Sequence, residues 1–184
     1  MTRMRNATRL RLVDEGDRDL YRTLYSSQDV MRAIGEPLDR ETIDAQLSRV
    51  VAHNRSNKPG HRAWVIETLT DGHGVGLAAL LREGNSAEFG VMLLPGAWQR
   101  GIGTATIRRL LLHAFEEMRV ELVHASSQST RAGVIGRLLA PFNLERQDSE
   151  RLGDSRWLLT RDRWMRERCD LPDPADRSPV SRDA

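Results

Sequence analysis

Gly90-Val91-Met92-Leu93-Leu94-Pro95-Gly96-Ala97-Trp98-Gln99-Arg100-Gly101-Ile102-Gly103-Thr104 joins a strand to a helix. The strand, Ala87 to Leu94, ends at Pro95. The helix that follows has the clearest periodicity in the chain: Ile107, Leu110, Leu111, Ala114, Phe115 and Met118 recur at helical spacing along one face. A glycine pair at such a junction lets the backbone approach a ligand closely. The helix start also leaves unpaired N–H groups and a positive dipole end. Together these suit an anion such as a diphosphate. Two nucleotide-binding readings fail here. Ala105 and Thr106 occupy the stretch where a Rossmann loop needs its third glycine. A P-loop needs Gly-Lys-Ser/Thr, and the one lysine, Lys58, lies far away.

Working outward, Thr8 to Val13 alternates polar and apolar and predicts a first strand. Leu20, Tyr21, Leu24 and Tyr25 share the face of a short helix, and Asp29 to Ile34 forms another short turn stopped by Gly35 and Pro37. Asp39 caps a longer helix carrying Ile43, Leu47, Val50 and Val51. Ala63 to Thr68, Val75 to Leu81 and Ala87 to Leu94 are strands linked by turns at Asp71-Gly72-His73-Gly74 and Glu83-Gly84-Asn85. Beyond the amphipathic helix, Val120 to Ala125 is a fifth strand and Thr130 to Leu139 a helix. Phe142 to Gln147 and Ser155 to Thr160 close the order as a pair of strands. An antiparallel run followed by strand-helix-strand predicts an α/β (α+β) domain: a mixed, mostly antiparallel sheet of about seven strands with helices on both faces.

The 184 residues suit one domain, expected over 1–168. Residues 169–184, rich in Pro, Asp, Arg and Ser, are expected to be a disordered tail. The sole cysteine, Cys169, can form neither an internal disulfide nor a Cys-rich zinc site, and a reducing cytoplasm is the expected compartment. Apolar runs are too short for a bilayer, and the basic N-terminus has no apolar stretch behind it. The net charge is only +2, and acidic residues interleave with the arginines, so no basic stripe for nucleic acid appears.

The segment Gly90–Thr104 resembles the acetyl-CoA motif of the GNAT superfamily of N-acetyltransferases, whose loop reads Gln/Arg-x-x-Gly-x-Gly/Ala. Trp98 stands where Gln or Arg is usual, which is similar to the ribosomal-protein (Rim-type) N-terminal acetyltransferase branch. Thr8–Leu12, Asp29–Gly35 and Pro141-Phe142 resemble further parts of that branch, so the likeness spans about residues 8 to 160. The resemblance implies strands four and five splayed apart, with the pantetheine arm of acetyl-CoA between them. It implies backbone contacts from Val91, Met92 and Leu93 and a diphosphate on the amides of Gln99, Arg100, Gly101, Ile102, Gly103 and Thr104. By family spacing Gln128 and Arg131 are further cofactor candidates. The resemblance further implies direct transfer, without an acyl-enzyme and without a metal; monomer or homodimer are both open.

The chemistry needs a base for the amine and an acid for the departing thiolate. Glu88, on the fourth strand, is the candidate base; the alternative is a solvated strand residue. The family's usual tyrosine acid has no counterpart, since no tyrosine follows Tyr25. Ser126 is the candidate acid, or else it starts a turn or caps a helix. His124 shares a face with Ser126 and is placed on the substrate side, together with Tyr21, Tyr25, Ile34 and Glu36. The expected acceptor is a protein or peptide α-amine. The alternatives are a small amine (antibiotic, amino acid or polyamine) or a non-catalytic acyl-CoA-binding regulatory module.

Overall fold

The computed structural model describes residues 7–32, 34–56, 60–128, 132–148 and 154–167. Strand β1 (Thr8–Leu12) leads through a turn capped by Asp14 into helix α1 (Arg18–Ser26), α2 (Gln28–Met31) and α3 (Arg40–Arg55). Ser27 and Asp39 cap the second and third of these, each accepting from a first-turn backbone N–H. Strands β2 (Arg62–Thr68), β3 (Gly74–Glu83) and β4 (Ser86–Leu93) form an antiparallel meander. Then come α4 (Ile102–Leu112), β5 (Leu122–Gln128), α5 (Ala132–Leu139), β6 (Glu145–Asp148), β7 (Asp154–Thr160) and α6 (Arg161–Glu167).

The seven strands form one sheet in the order β1-β2-β3-β4-β5-β7-β6. Every neighbouring pair is antiparallel except β4 and β5, which are parallel. A parallel pair needs a crossover, and α4 supplies it. The parallel ladder holds only Ser86↔Leu122, Ala87↔Val123 and Glu88↔His124. Past that point β4 stays bonded to β3 as far as Leu93, and β5 to β7 as far as Gln128, but not to each other. The sheet therefore splits into a wedge-shaped gap whose apex is Glu88 beside His124, the splay that the resemblance implied.

Side-chain alternation sends successive residues to opposite faces. On one face Ala78, Leu80, Ala87, Phe89, Val123, Ala125, Trp157 and Leu159 pack with α4 and with Trp164 of α6. On the other, Val65, Leu77 and Met92 pack beneath α1, α2 and α3. Glu88, His124 and Ser126 belong by parity to this second face.

Several boundaries differ from expectation. The fourth strand starts and ends one residue earlier. The fifth begins at Leu122, because α4 runs on through a π-turn at His113–Glu117 and Arg119 takes a left-handed conformation. The Val120 N–H consequently bonds back to the Ala114 carbonyl and closes the helix. Ser126 thus lies within β5 and neither starts a turn nor caps a helix. Phe142 sits in a 3-10 turn ended by left-handed Asn143, so the sixth strand starts only at Glu145. Helix α6 was not anticipated. His113 is half-buried edge-on to Trp64, 5.1 Å between centroids, and burial pushes its pKa down. The tail at 169–184 falls outside the described residues.

Candidate active site

The loop between β4 and α4 sets up the mouth of the gap. Pro95 opens a 3-10 turn, and the Trp98 indole N–H donates to the Leu93 carbonyl at 2.8 Å. Trp98 is 43% exposed, so this bond pins a surface ring across the loop. Gln99 and Gly101 both adopt left-handed conformations, at φ 57° and 76°. Gly101 is the N-cap of α4 and offers no side-chain cap. The first helical bond runs from the Ala105 N–H to the Gly101 carbonyl. The amides of Ile102, Gly103 and Thr104 therefore lack intrahelical acceptors at the positive end of the helix. The residues fit an anion there.

The two glycines serve different purposes. Gly101 supplies the positive φ, and a Cβ on it would meet nothing within 4 Å. A Cβ on Gly103 would stand 3.4 Å from Leu138 of α5 and 3.7 Å from Leu93 of β4. Both distances are ordinary van der Waals contact, so the first turn of α4 lies against its neighbours with room for an added methyl group and little more.

Strand register decides which β4 peptide groups face the gap. The Leu94 N–H donates to the Val75 carbonyl, and the β3–β4 register is regular throughout. In an antiparallel ladder this makes residues 94, 92, 90 and 88 the ones bonded to β3. The N–H and C=O of Val91 and Leu93 then point into the gap, whereas those of Met92 do not. Met92 is a correction to the expected pantetheine contacts: its backbone belongs to the β3 ladder, and its side chain is buried in the second core.

At the apex, His124 Nε2 lies 3.9 Å from Glu88 Oε2. The imidazole is 4% exposed and its Nδ1 is buried without a partner among the described residues. Burial, and then the nearby Arg156 charge, push its pKa down, with Glu88 and Glu83 pulling weakly upward. It is thus neutral near pH 7. Glu88 keeps part of its surface exposed, and Ser126 is exposed two residues further along β5. Glu88, His124 and Ser126 are brought together on one face. Gln128 ends β5 opposite Asp154; Arg131 lies outside the described residues.

The acceptor-side candidates from the N-terminal region divide. Tyr21 is 4% exposed and is a core residue of α1, a correction that follows from the apolar face it shares with Leu24. Tyr25 is partly buried and stacks on it at 4.9 Å. Ile34 and Glu36 are exposed on the turn after α2. No hydrogen bond or ion pair among the described residues joins these four to Glu88 or His124. The sequence reading missed Arg156, because nothing local to Asp154–Thr160 announces which strand it pairs with.

Among the described residues no group of three or more His, Cys, Asp or Glu could hold a metal ion, and no helix is long and apolar enough to cross a membrane.

The fold and the family agree with this geometry. The spermidine N-acetyltransferase from Vibrio cholerae in complex with CoA and spermine superposes with a TM-score of 0.72 at 18% identity, over 86% of this chain and 98% of that one. A domain from Methanocaldococcus jannaschii gives a TM-score of 0.69 at 15% identity, over 84% and 98%. A GNAT-family acetyltransferase from Bacillus anthracis gives 0.69 at 14%, over 84% and 95%. At such identities the likeness is one of fold, and it does not single out the ribosomal-protein branch. The acetyltransferase (GNAT) domain family matches residues 8–138, and the chain belongs to that family.

Proposed function

We propose that this N-acetyltransferase moves the acetyl group of acetyl-CoA directly to a primary amine at the β4–β5 apex, with a peptide or protein α-amine as the acceptor. One observation carries the reading. The strands part immediately beyond Glu88 and His124, leaving Val91 and Leu93 peptide groups directed into the gap and free α4 amides at its mouth. A pantetheine amide can complete such an edge as an added strand would, and the α4 terminus supplies the anion site for the diphosphate.

In this reading Glu88, directly or through a water, takes the proton of the ammonium group. The amine nitrogen then forms its bond to the thioester carbonyl carbon while the carbon–sulfur bond breaks. Ser126 hydrogen-bonds the departing sulfur and passes to it the second proton, which the nitrogen gives up as the amide forms. His124, neutral and buried, lies beside Glu88 at the apex. The N-terminal features similar to the ribosomal-protein branch support the peptide acceptor.

A second reading, acetylation of a polyamine, is favoured by the fold likeness to spermidine N-acetyltransferases. A third, an acyl-CoA-binding module without turnover, is motivated by the absence of any tyrosine after Tyr25. Thiol release from acetyl-CoA, measured with peptides, spermidine and amino acids, separates all three. Peptide-dependent release at submillimolar KM supports the first. Release with spermidine alone selects the second, and binding without release selects the third. Binding itself is read from melting. Acetyl-CoA at a hundredfold excess over Kd stabilises by about 2.7 kcal/mol. For a chain of this size that raises Tm by roughly 5–10 °C; no shift at millimolar acetyl-CoA sinks the cofactor site.

A further inference from the structure

The face that carries Glu88 and His124 continues onto β7. Register pairs His124 with Leu158 and Ser126 with Arg156. Trp157 and Leu159 pack into the core on the opposite side, so Arg156 and Leu158 share the face of Glu88, His124 and Ser126. Arg156 sits level with Ser126, one step beyond the apex on the side where the gap opens.

Among the described residues, Ser126 and Arg156 are exposed on this part of the face, whereas His124 is buried. The core beneath α1, α2 and α3 takes strand residues from β2, β3 and β4 and none from β5 or β7. Arg156 is exposed there, with no carboxylate in ion-pair range among the described residues. Arg9, Arg11, Arg22, Arg32, Arg55 and Arg163 each have one. Its charge is nevertheless felt at the apex, where it opposes protonation of His124. This face therefore carries a carboxylate, Glu88, and a guanidinium with no ion-pair partner among the described residues.

We infer that Arg156 is a specificity-determining residue that holds a carbonyl or carboxylate oxygen of the acceptor while the amine of the same molecule meets Glu88. The inference rests on the acetyl-transfer reading and narrows it. The acceptor is a primary amine bearing an oxygen acceptor a few bonds away, as a peptide N-terminus or an amino acid does. A polyamine carries only cationic groups, and one of them would meet the guanidinium. Like charges placed together suppress a partner instead of recruiting it.

The test compares the wild-type protein with Arg156→Gln and Arg156→Lys. KM and kcat are measured separately for acetyl-CoA, a short peptide, a free amino acid and spermidine. Peptide binding to the CoA-saturated protein is followed by calorimetry. Losing a charged hydrogen bond predicts that Arg156→Gln weakens peptide KM and Kd roughly tenfold or more. KM for acetyl-CoA stays within about twofold, Arg156→Lys recovers part of the loss, and spermidine is used no worse than before. Peptide against amino acid tells a carbonyl from a carboxylate as the group held. An unchanged peptide Kd in Arg156→Gln overturns the assignment, as does a wild-type preference for spermidine that the substitution lowers. Absence of thiol release with every amine overturns acetyl transfer instead, and the calorimetric arm still decides what Arg156 does.

Discussion

Gly101 and Gly103 look equivalent in the sequence and are not equivalent in the loop. Gly101 needs its positive φ, so Gly101→Ala is expected to cost about 1–2 kcal/mol of left-handed strain. Gly103 needs only room. An alanine there makes ordinary contact with Leu138, whereas Gly103→Leu overlaps Leu138 and Leu93 and is expected to cost about 1–3 kcal/mol. Melting with and without acetyl-CoA checks both. Gly103→Ala should keep its fold and its cofactor shift, while Gly103→Leu should melt early even without cofactor. If Gly103→Leu lost only the cofactor shift, the packing role would be wrong.

Three ionisable groups, two buried and one half-buried, shape the acid limb of stability at the same scale. His124 and His113 resist protonation in the fold and not in the unfolded chain. The unfolded state therefore binds their protons first, and stability declines as pH falls below about 6.5. Glu67 titrates lower. Its side chain is 7% exposed and accepts from Arg11 Nε at 2.6 Å and Arg9 Nε at 2.7 Å, which hold its pKa down. Its contribution is complete above about pH 4.3 and is lost as pH drops through the lower folded value. Melting curves between about pH 8 and pH 3 should show both declines. His124→Gln should flatten the upper one and Glu67→Gln the lower one. A wild-type Tm unchanged from about pH 7.5 to 5.5 would contradict the histidine part. None of these partners could be read from local sequence, since Glu67 lies more than fifty residues from both arginines. Glu88, His124 and Ser126 were legible because alternation within two strands is a local property. Arg156 was not, because its place depends on which strand β7 joins.

Among the elements, the loop after β4 is tied back to its strand by an indole bond. Trp98→Phe keeps the ring and removes the N–H that reaches the Leu93 carbonyl. Losing one such bond costs about 0.5–1.5 kcal/mol, or roughly a 2- to 13-fold change in an equilibrium. KM for acetyl-CoA should rise by a factor in that range while acceptor KM stays constant. A change confined to acceptor KM would place Trp98 in the acceptor site instead. The helices with long apolar faces were legible from spacing alone. Helix α6 was not, because its seven residues, Arg161–Glu167, bring only Trp164 into the core. Its one local mark is Thr160, which accepts from the Arg163 N–H as a cap does. The fifth strand was misplaced for a related reason: Val120 is apolar because it closes a π-turn, and apolarity cannot tell a helix closure from a strand.

Across the whole molecule, the sheet is continuous except at one seam. β4 is fastened to β3 and β5 to β7, so past Glu88 and His124 each strand follows its own hydrogen-bonded neighbour. The strands and the mixed sheet could be anticipated from order and alternation, but the insertion of β7 between β5 and β6 is a long-range choice invisible in any short window. The seam makes a residue-resolved prediction for hydrogen exchange. The Met92 amide belongs to the β3 ladder and should exchange slowly with or without ligand. The Val91 and Leu93 amides face the gap. They should exchange fast in the free protein and become protected when acetyl-CoA adds its pantetheine to the β4 edge. The amides of Ile102, Gly103 and Thr104 should gain protection together with them, since one ligand spans the gap and its mouth. Spermidine or peptide alone should protect none of these. Equal protection of Val91, Met92 and Leu93 in the free protein would mean that β4 and β5 are closed in solution, and the gap could not then be where the acetyl donor lies.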